Sequence, residues 1–309
     1  MKYIEGLMDY TMDRDTAVTL GKFDGVHRGH QKLIRSICDK EGLESAVVTI
    51  WPDPKMPALL TKQEKKEMFR SLGVDWWIDC PFLPQISRLE PEAFVRDILV
   101  KRLRARYIAV GSDFRFGYQR KGDVNLLKAL QNELGYELEI VEKETYKGKE
   151  ISSTYVKEAL AHGRMELVNA LLGYPYTIQG EVLHGRKVGR TLGMPTTNLI
   201  PSTGKLLPPN GVYFSDTFIE KESVFENGKD SGYAGVTNVG YKPTIGEYFR
   251  GVETYLFDFD QDLYGKNIAV QLHKFQRTER KFDSLEELKE QMEKDIEAGK
   301  LRKMLRKAD

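Results

Sequence analysis

The sequence predicts an α/β protein in two parts: a parallel sheet flanked by helices, then a small antiparallel β-barrel closed by a long helix. Three observations carry this. The chain has 309 residues, and one hydrophobic core usually stops growing near ~250–300, so two domains are expected. Up to about residue 172, apolar runs alternate with helical stripes, the rhythm of right-handed strand–helix–strand crossovers. After "ALLGYPY" the apolar segments are β-type and are separated by Gly, Asn, Pro and charged turns. The boundary is expected near Gly173 to Tyr176, giving domains 1–173 and 174–309.

Taken in order, "AVTLGKF" predicts a strand, "HQKLIRSICDK" a helix and "SAVVTIW" a second strand. "TKQEKKEMFRSLG" predicts a helix with Thr61 and Glu64 as a capping box and Gly73 beyond its end. "VDWWIDC" is a strand, "EPEAFVRDILVKRL" a helix with Pro91 in its first turn, and "YIAVGS" a strand. "DVNLLKALQNELG" and "ELEIVE" complete the alternation. In the second half "YTIQGEVLHG", "GVYFSDTFIE", "YAGVTNVG", "VETYLFDF" and "IAVQLHKF" are the expected strands. "SLEELKEQMEKDIEAGKLRKMLR" is a long amphipathic helix, with Ser284 and Glu287 as a second capping box, able to cover a barrel edge.

Composition narrows the function. Lys plus Arg (47) nearly balance Asp plus Glu (46), so no global field points to nucleic acid or a membrane surface, and any anion must be held locally. Cys38 and Cys80 are far apart and fit core thiols in a reducing compartment. The amino-terminal stretch lacks an apolar signal core, and no apolar run approaches the ~18 residues of a membrane span. A soluble cytoplasmic protein is expected, acting on small molecules.

"GKFDGVHRGH" (21–30) follows the first strand and puts His27 and His30 three residues apart where a helix begins. Three readings are open: structural capping or core histidines, a metal site, or phosphate binding. A metal site lacks further ligands nearby, since His162, His184 and His273 fall in unrelated patterns. Phosphate binding suits glycines that let the backbone approach, a helix start that offers N–H groups, and imidazoles that donate hydrogen bonds.

That segment resembles the H-x-G-H element of the nucleotidyltransferase superfamily, in the form found in bacterial bifunctional riboflavin kinase/FMN adenylyltransferases. "VGSDFRFG" (110–117) and "ISSTYVKEAL" (151–160) resemble later motifs of that family in the right order. The resemblance implies a Rossmann-like nucleotidyltransferase domain. It implies that His27 and His30 bind ATP phosphates, that Gly21, Phe23, Asp24 and Gly25 pack against ATP, and that Ser152, Ser153 and Thr154 close over the phosphates with Lys157. Asp113 and Phe116 would contact FMN or ATP. The chain departs from the family pattern at Asp53 in "WPDP", where histidine is usual, at Lys157 in place of arginine, and at Lys22 in place of asparagine. Lys22 or Lys55 is expected to offset the Asp53 carboxylate.

In the second half, "HGRKVGRTLGMPTTNL" (184–199) reads on composition as a basic Gly-rich turn, and it resembles the riboflavin kinase element G-x-P-T-x-N. The resemblance implies that Gly185, Gly189 and Gly193 cover a nucleotide and that Thr196 and Asn198 hold Mg²⁺ and ATP. "GVY", "TNVGYKPT", "VETYLFDF", "LYG" and "FDSLEEL" follow in family order. Glu253 stands at the family's catalytic position, and Arg277 resembles a flavin-loop arginine. The implied activities are riboflavin phosphorylation to FMN in the second domain and FMN adenylylation to FAD in the first, with Mg²⁺ and ATP. A kinase with a lost adenylyltransferase site and a non-catalytic flavin-binding regulator are the alternatives.

Overall fold

The computed structural model describes the whole chain except residues 9, 52–55, 82–83, 185–187, 222, 226–231, 244–247 and 307–309. The described chain divides into two compact units, Met1–Ser153 and Thr154–Asp309.

Six strands build the main sheet of the first unit, β1 (Lys2–Glu5), β2 (Thr16–Gly21), β3 (Glu44–Trp51), β4 (Trp76–Pro81), β5 (Ala105–Gly111) and β6 (Glu137–Val141), and a separate short antiparallel pair, β7 (Thr145–Tyr146) with β8 (Lys149–Glu150), follows. The six lie in the order β1-β4-β3-β2-β5-β6, and every pair is parallel. Thr16 through Leu20 are all buried, as expected for a strand covered on both faces. The chain leaves β2 toward β3 on one side and later places β5 on the other. The carboxyl end of β2 is therefore a topological switch point, where open α/β sheets bind ligands.

The expected helices appear as Arg28–Cys38, Lys62–Ser71 and Val124–Leu134. Thr61 and Glu64 form the full reciprocal capping box, and Gly135 ends the third helix in the left-handed region. Two features differ from expectation. β1 was not anticipated, because "KYIE" is too short to show a period and gains its structure by pairing with β4 at the sheet edge. The helix expected over 90–103 is α only at Pro91–Ala93 and continues as a π-helix through Phe94–Arg102, with Leu103 N–H reaching Ile98 O at 2.9 Å.

The second unit begins at Thr154, inside the helix Ser153–Ala161, and continues with the helix Met165–Leu172, both of which the sequence grouped with the first half. Asn169 explains the grouping of the latter. Its side chain donates to Leu272 O at 2.9 Å and accepts from Tyr176 N–H at 2.8 Å, joining the helix to two strands of the following sheet.

That sheet comprises β9 (Tyr176–Glu181), β10 (Thr196–Leu199), β11 (Gly211–Ile219), β12 (Tyr233–Pro243), β13 (Tyr248–Leu256) and β14 (Asn267–Thr278). The order is β10-β13-β12-β11-β14-β9, with antiparallel pairing throughout. Its two edges meet: Val182 bridges Leu199, and Leu183 N–H donates to Asn198 O at 2.8 Å. The sheet is thereby curled into a half-barrel, and the helix Leu285–Arg306 packs on the outer face of the central strand β12, with Ile296 against Val212, Val236 and Phe257. At its start Ser284 Oγ accepts from Glu287 N–H at 3.1 Å. The Glu287 carboxylate takes the N–H of Asp283 rather than that of Ser284, so only half of the expected box forms.

Candidate active sites

The first constellation lies where β2 ends. Between Gly21 and the helix Arg28–Cys38 the backbone takes positive φ at Phe23 (47°), Gly25 (80°) and Val26 (35°). Such angles are costly for residues other than glycine, and the surroundings hold them in place. Phe23 and Val26 are fully buried. The loop's polar groups are met on all sides: Lys65 Nζ donates to Lys22 O at 3.0 Å, Ser153 Oγ to Asp24 O at 2.8 Å, and Gln31 Nε2 to Val26 O at 2.9 Å. Asp24 Oδ1 accepts from Leu59 N–H at 2.8 Å. A side chain at Gly21 would start 3.2 Å from the Phe23 ring.

This loop delivers His27 as the N-cap of the helix. Its Nδ1 accepts from His30 N–H at 3.4 Å, and the two rings stack with centroids 3.7 Å apart and planes 20° from parallel. The His30 ring also meets Phe23 at 5.0 Å. Of the readings left open by the sequence, His27 takes at least the capping one. With Nδ1 accepting, the ring proton of neutral His27 resides on Nε2.

Both imidazoles are kept neutral. Burial pushes His27 down to about 4, against a partial opposing pull from Asp24. Burial pushes His30 well below the usual range, reinforced by His27 and by Lys65. His30 Nδ1 is buried without a hydrogen-bond partner among the described residues. Lys65, only 1% exposed, carries no signal in the sequence, because "TKQEKKE" looks like a solvated helix face.

Ser153 is thus joined to the histidine loop, and Ser152 precedes it on an exposed turn. Thr154 and Lys157 belong to the second unit, and Lys157 stands one helical turn after Ser153. Asp113 lies just past the end of β5, exposed, with its carboxylate 3.1 Å from Lys143 Nζ. Phe116 is 6% exposed and packs in the core against Phe94 and Phe114. Asp53 and Lys55 lie outside the described residues, and Lys22 is exposed.

The second constellation is set by strand register. Asn198 on β10 is paired with Glu253 on β13, and Glu253 is paired on its other side with Asn238 on β12. Directly paired residues project from the same face, so the carboxylate is flanked by two carboxamides. The row continues through Val212 on β11 to Arg277 on β14. Because Val212 packs under the carboxyl-terminal helix, this is the outer face. On the inner face the alternate residues form a hydroxyl chain, Ser215 Oγ to Thr237 Oγ1 at 2.7 Å and Thr237 Oγ1 to Thr254 Oγ1 at 2.9 Å, all buried.

Asn198 Oδ1 and Asn238 Oδ1 are both buried without a hydrogen-bond partner among the described residues. Buried unpaired acceptors are uncommon, and two beside one carboxylate mark a place prepared for donors or a hard cation. Thr196 shares the Asn198 face of β10, two residues away. A side chain at Gly189 would start 2.4 Å from Met194 O and 3.3 Å from Thr196 Oγ1, so the glycine lets the turn fold back onto that hydroxyl. Gly193 takes φ +77°, while Gly185 lies outside the described residues. Arg277 is held elsewhere: its Nε and Nη2 donate to Asp295, at 3.0 and 2.6 Å, and its Nη1 to Thr278 O at 2.9 Å. Asp295 is 4% exposed, so the pair anchors the helix to β14. Asn238 carried no assigned role in the sequence, since only register reveals its place.

Comparison with known proteins adds to this geometry. Residues 9–155 match the family model described as FAD synthetase, and residues 172–302 the model described as riboflavin kinase. The chain is 37% identical over 308 residues to the bifunctional riboflavin kinase/FMN adenylyltransferase of Escherichia coli (strain K12), covering 96% of each. It is 38% identical over 296 residues to the protein of the same name from Bacillus subtilis (strain 168), covering 91% of this chain and 90% of that one. A crystal structure described as a macrolide-efflux protein from Streptococcus pneumoniae superposes with a TM-score of 0.83 at 29% identity, over 96% of this chain and 98% of that one. Among the described residues no helix is long and apolar enough to cross a membrane.

Proposed function

The chain belongs to the family of bifunctional riboflavin kinase/FMN adenylyltransferases, and from that premise we propose which of its residues carry each reaction. The protein is a transferase that phosphorylates riboflavin to FMN with its carboxyl-terminal part and adenylylates FMN to FAD with its amino-terminal part. ATP is the co-substrate of both. We place both reactions in the cytoplasm, where ATP is abundant and the two free cysteines stay reduced.

In adenylylation an oxygen of the FMN phosphate, already anionic near neutral pH, bonds to the α-phosphorus of ATP while the bond to the departing pyrophosphate breaks. No general base is needed, and catalysis reduces to alignment and charge stabilisation. Neutral His27 donates from Nε2, and the helix start adds backbone N–H groups. His30, Phe23, Gly21, Asp24 and Gly25 hold that donor in place, and Ser152 and Ser153 approach the phosphates. Asp113 is assigned to the substrate side; Phe116 acts through the core beneath its loop.

In the kinase reaction the ribityl 5′-hydroxyl is neutral, so its proton must leave as its oxygen bonds to the γ-phosphorus and ADP departs. Glu253 accepts that proton. The orphaned Asn198 Oδ1, with the hydroxyl of Thr196, gives an oxygen set suited to Mg²⁺, which would neutralise charge on the ATP phosphates when bound. Gly185, Gly189 and Gly193 let the preceding loop lie close to the nucleotide. Arg277 acts on the flavin only through the helix it anchors.

The observation that carries the assignment is the register of Glu253 between Asn198 and Asn238, whose side-chain oxygens are buried without a hydrogen-bond partner among the described residues. The test is to incubate the purified protein with riboflavin, Mg²⁺ and ATP and separate the flavins. FMN and FAD together support both assignments. FMN alone selects a kinase whose adenylyltransferase was weakened by the departures at Asp53 and Lys157, and neither product overturns the reading.

A further inference from the structure

We propose that Asn238 is a substrate-binding residue of the kinase site, which accepts a hydrogen bond from a secondary hydroxyl of the ribityl chain and so delivers the 5′-hydroxyl to Glu253. This rests on the kinase assignment above. Asn238 Oδ1 is buried and has no hydrogen-bond partner among the described residues. Such a carbonyl oxygen has lost its hydration without a protein donor in return, a deficit that a ligand hydroxyl would make good.

Register says which partner. Asn198 and Asn238 stand on opposite sides of Glu253, each one strand away. Thr196 lies on the Asn198 side, two residues along β10, and it is there that the fold brings the turn containing Gly189. The phosphate donor therefore occupies that side. Adjacent strands are about 4.8 Å apart, so Asn238 is about 10 Å from β10, a poor position for sharing an ion with ligand bonds of about 2.1 Å. A base in a transfer reaction sits at the attacking hydroxyl, and the remainder of the alcohol must extend away from the donor. That direction is Asn238. A polyol chain presents hydroxyl donors at every carbon, the chemistry that an unpaired amide oxygen receives.

The strand beneath is fixed for this purpose. Thr237 and Thr254, the residues preceding Asn238 and following Glu253, are joined by their hydroxyls at 2.9 Å, and Thr237 is joined to Ser215 at 2.7 Å. This hydroxyl chain fixes the spacing of the strands that carry Asn238 and Glu253. Beyond Asn238 the row offers Val212 and then Arg277, whose donors are engaged by Asp295 and Thr278.

The test compares the full-length protein with Asn238→Ala and Asn238→Leu in steady-state kinase assays, varying riboflavin, ATP and Mg²⁺ separately. The expected result is a riboflavin KM raised about tenfold, with the ATP KM and the Mg²⁺ requirement unchanged and the melting temperature not lowered. Riboflavin analogues lacking one secondary ribityl hydroxyl supply a second readout. At least one should bind the unaltered protein more weakly but bind Asn238→Ala no worse than riboflavin does. A changed Mg²⁺ or ATP dependence would move Asn238 to the phosphate side and overturn the proposal, as would an unchanged riboflavin KM, with or without a lower melting temperature. Absence of FMN formation by the unaltered protein would instead overturn the kinase assignment itself.

Discussion

The two candidate sites, each proposed to hold a triphosphate against an attacking oxygen, are built in opposite ways. The first is a single short loop, residues 21–30, bent through positive φ at three positions and braced by Lys65, Gln31 and Ser153. The second has almost no strained backbone and draws one residue from each of several strands, aligned by pairing alone. The difference follows from the chemistry. A phosphate nucleophile needs only donors, which on our proposal the helix start and the neutral His27 ring supply. An alcohol needs a base at a fixed place, which a strand paired on both sides supplies.

The largest expected effect tests that division. Glu253→Gln should lower FMN formation by about 10²–10⁴-fold while adenylylation of supplied FMN continues, as measured by separating the flavins. Equal loss of both activities would mean that the sites are not separable.

Next, His27→Asn distinguishes chemistry from capping at the first site. Asparagine is a good N-cap but lacks the Nε2 donor, so FAD formation should fall about 10²-fold with the melting temperature nearly unchanged and FMN formation intact. A drop in stability with FAD formation preserved would make His27 a cap and nothing more.

The imidazoles should also leave a mark on stability. Between pH 6.5 and about 4 the unfolded chain takes up a proton at His27 that the folded chain refuses, so stability falls as pH falls through that window. The shift corresponds to about 3 kcal/mol, fully lost near pH 4, and His30 acts in the same direction. The acid-induced loss in urea unfolding should therefore be smaller in His27→Asn by about that amount. Identical pH profiles would show that the His27 ring is not desolvated.

The smallest effect concerns the bracing. Ser153→Ala removes the donor to Asp24 O and should cost about 1 kcal/mol, with a modest rise in the ATP KM for adenylylation and none for the kinase. An unchanged adenylylation KM would show that the loop keeps its shape without this tether.

The same contrast explains what the sequence revealed. His27 and His30 were visible because a motif confined to ten residues survives being read as text. The alternating strands and helices were legible through their periods, and Thr61 with Glu64 through capping chemistry. What escaped depended on partners distant in the chain. β1 gains its structure from β4, the π-wound turn at Phe94–Arg102 has no composition signal, and Lys65 is hidden among solvated lysines. Arg277 looked available to a ligand until Asp295 was found against it. Asn238 needed the register of three strands before it had a neighbour at all.

That register has a consequence for how this protein tolerates change. Residues on a strand alternate between faces, so deleting or inserting a single residue within β13 would turn Glu253 toward the barrel interior and bring Thr254 out in its place. Loops elsewhere can lengthen or shorten over generations, but the spacing inside β10, β12 and β13 can change only in steps of two, and the phosphorylating half must inherit it as a block.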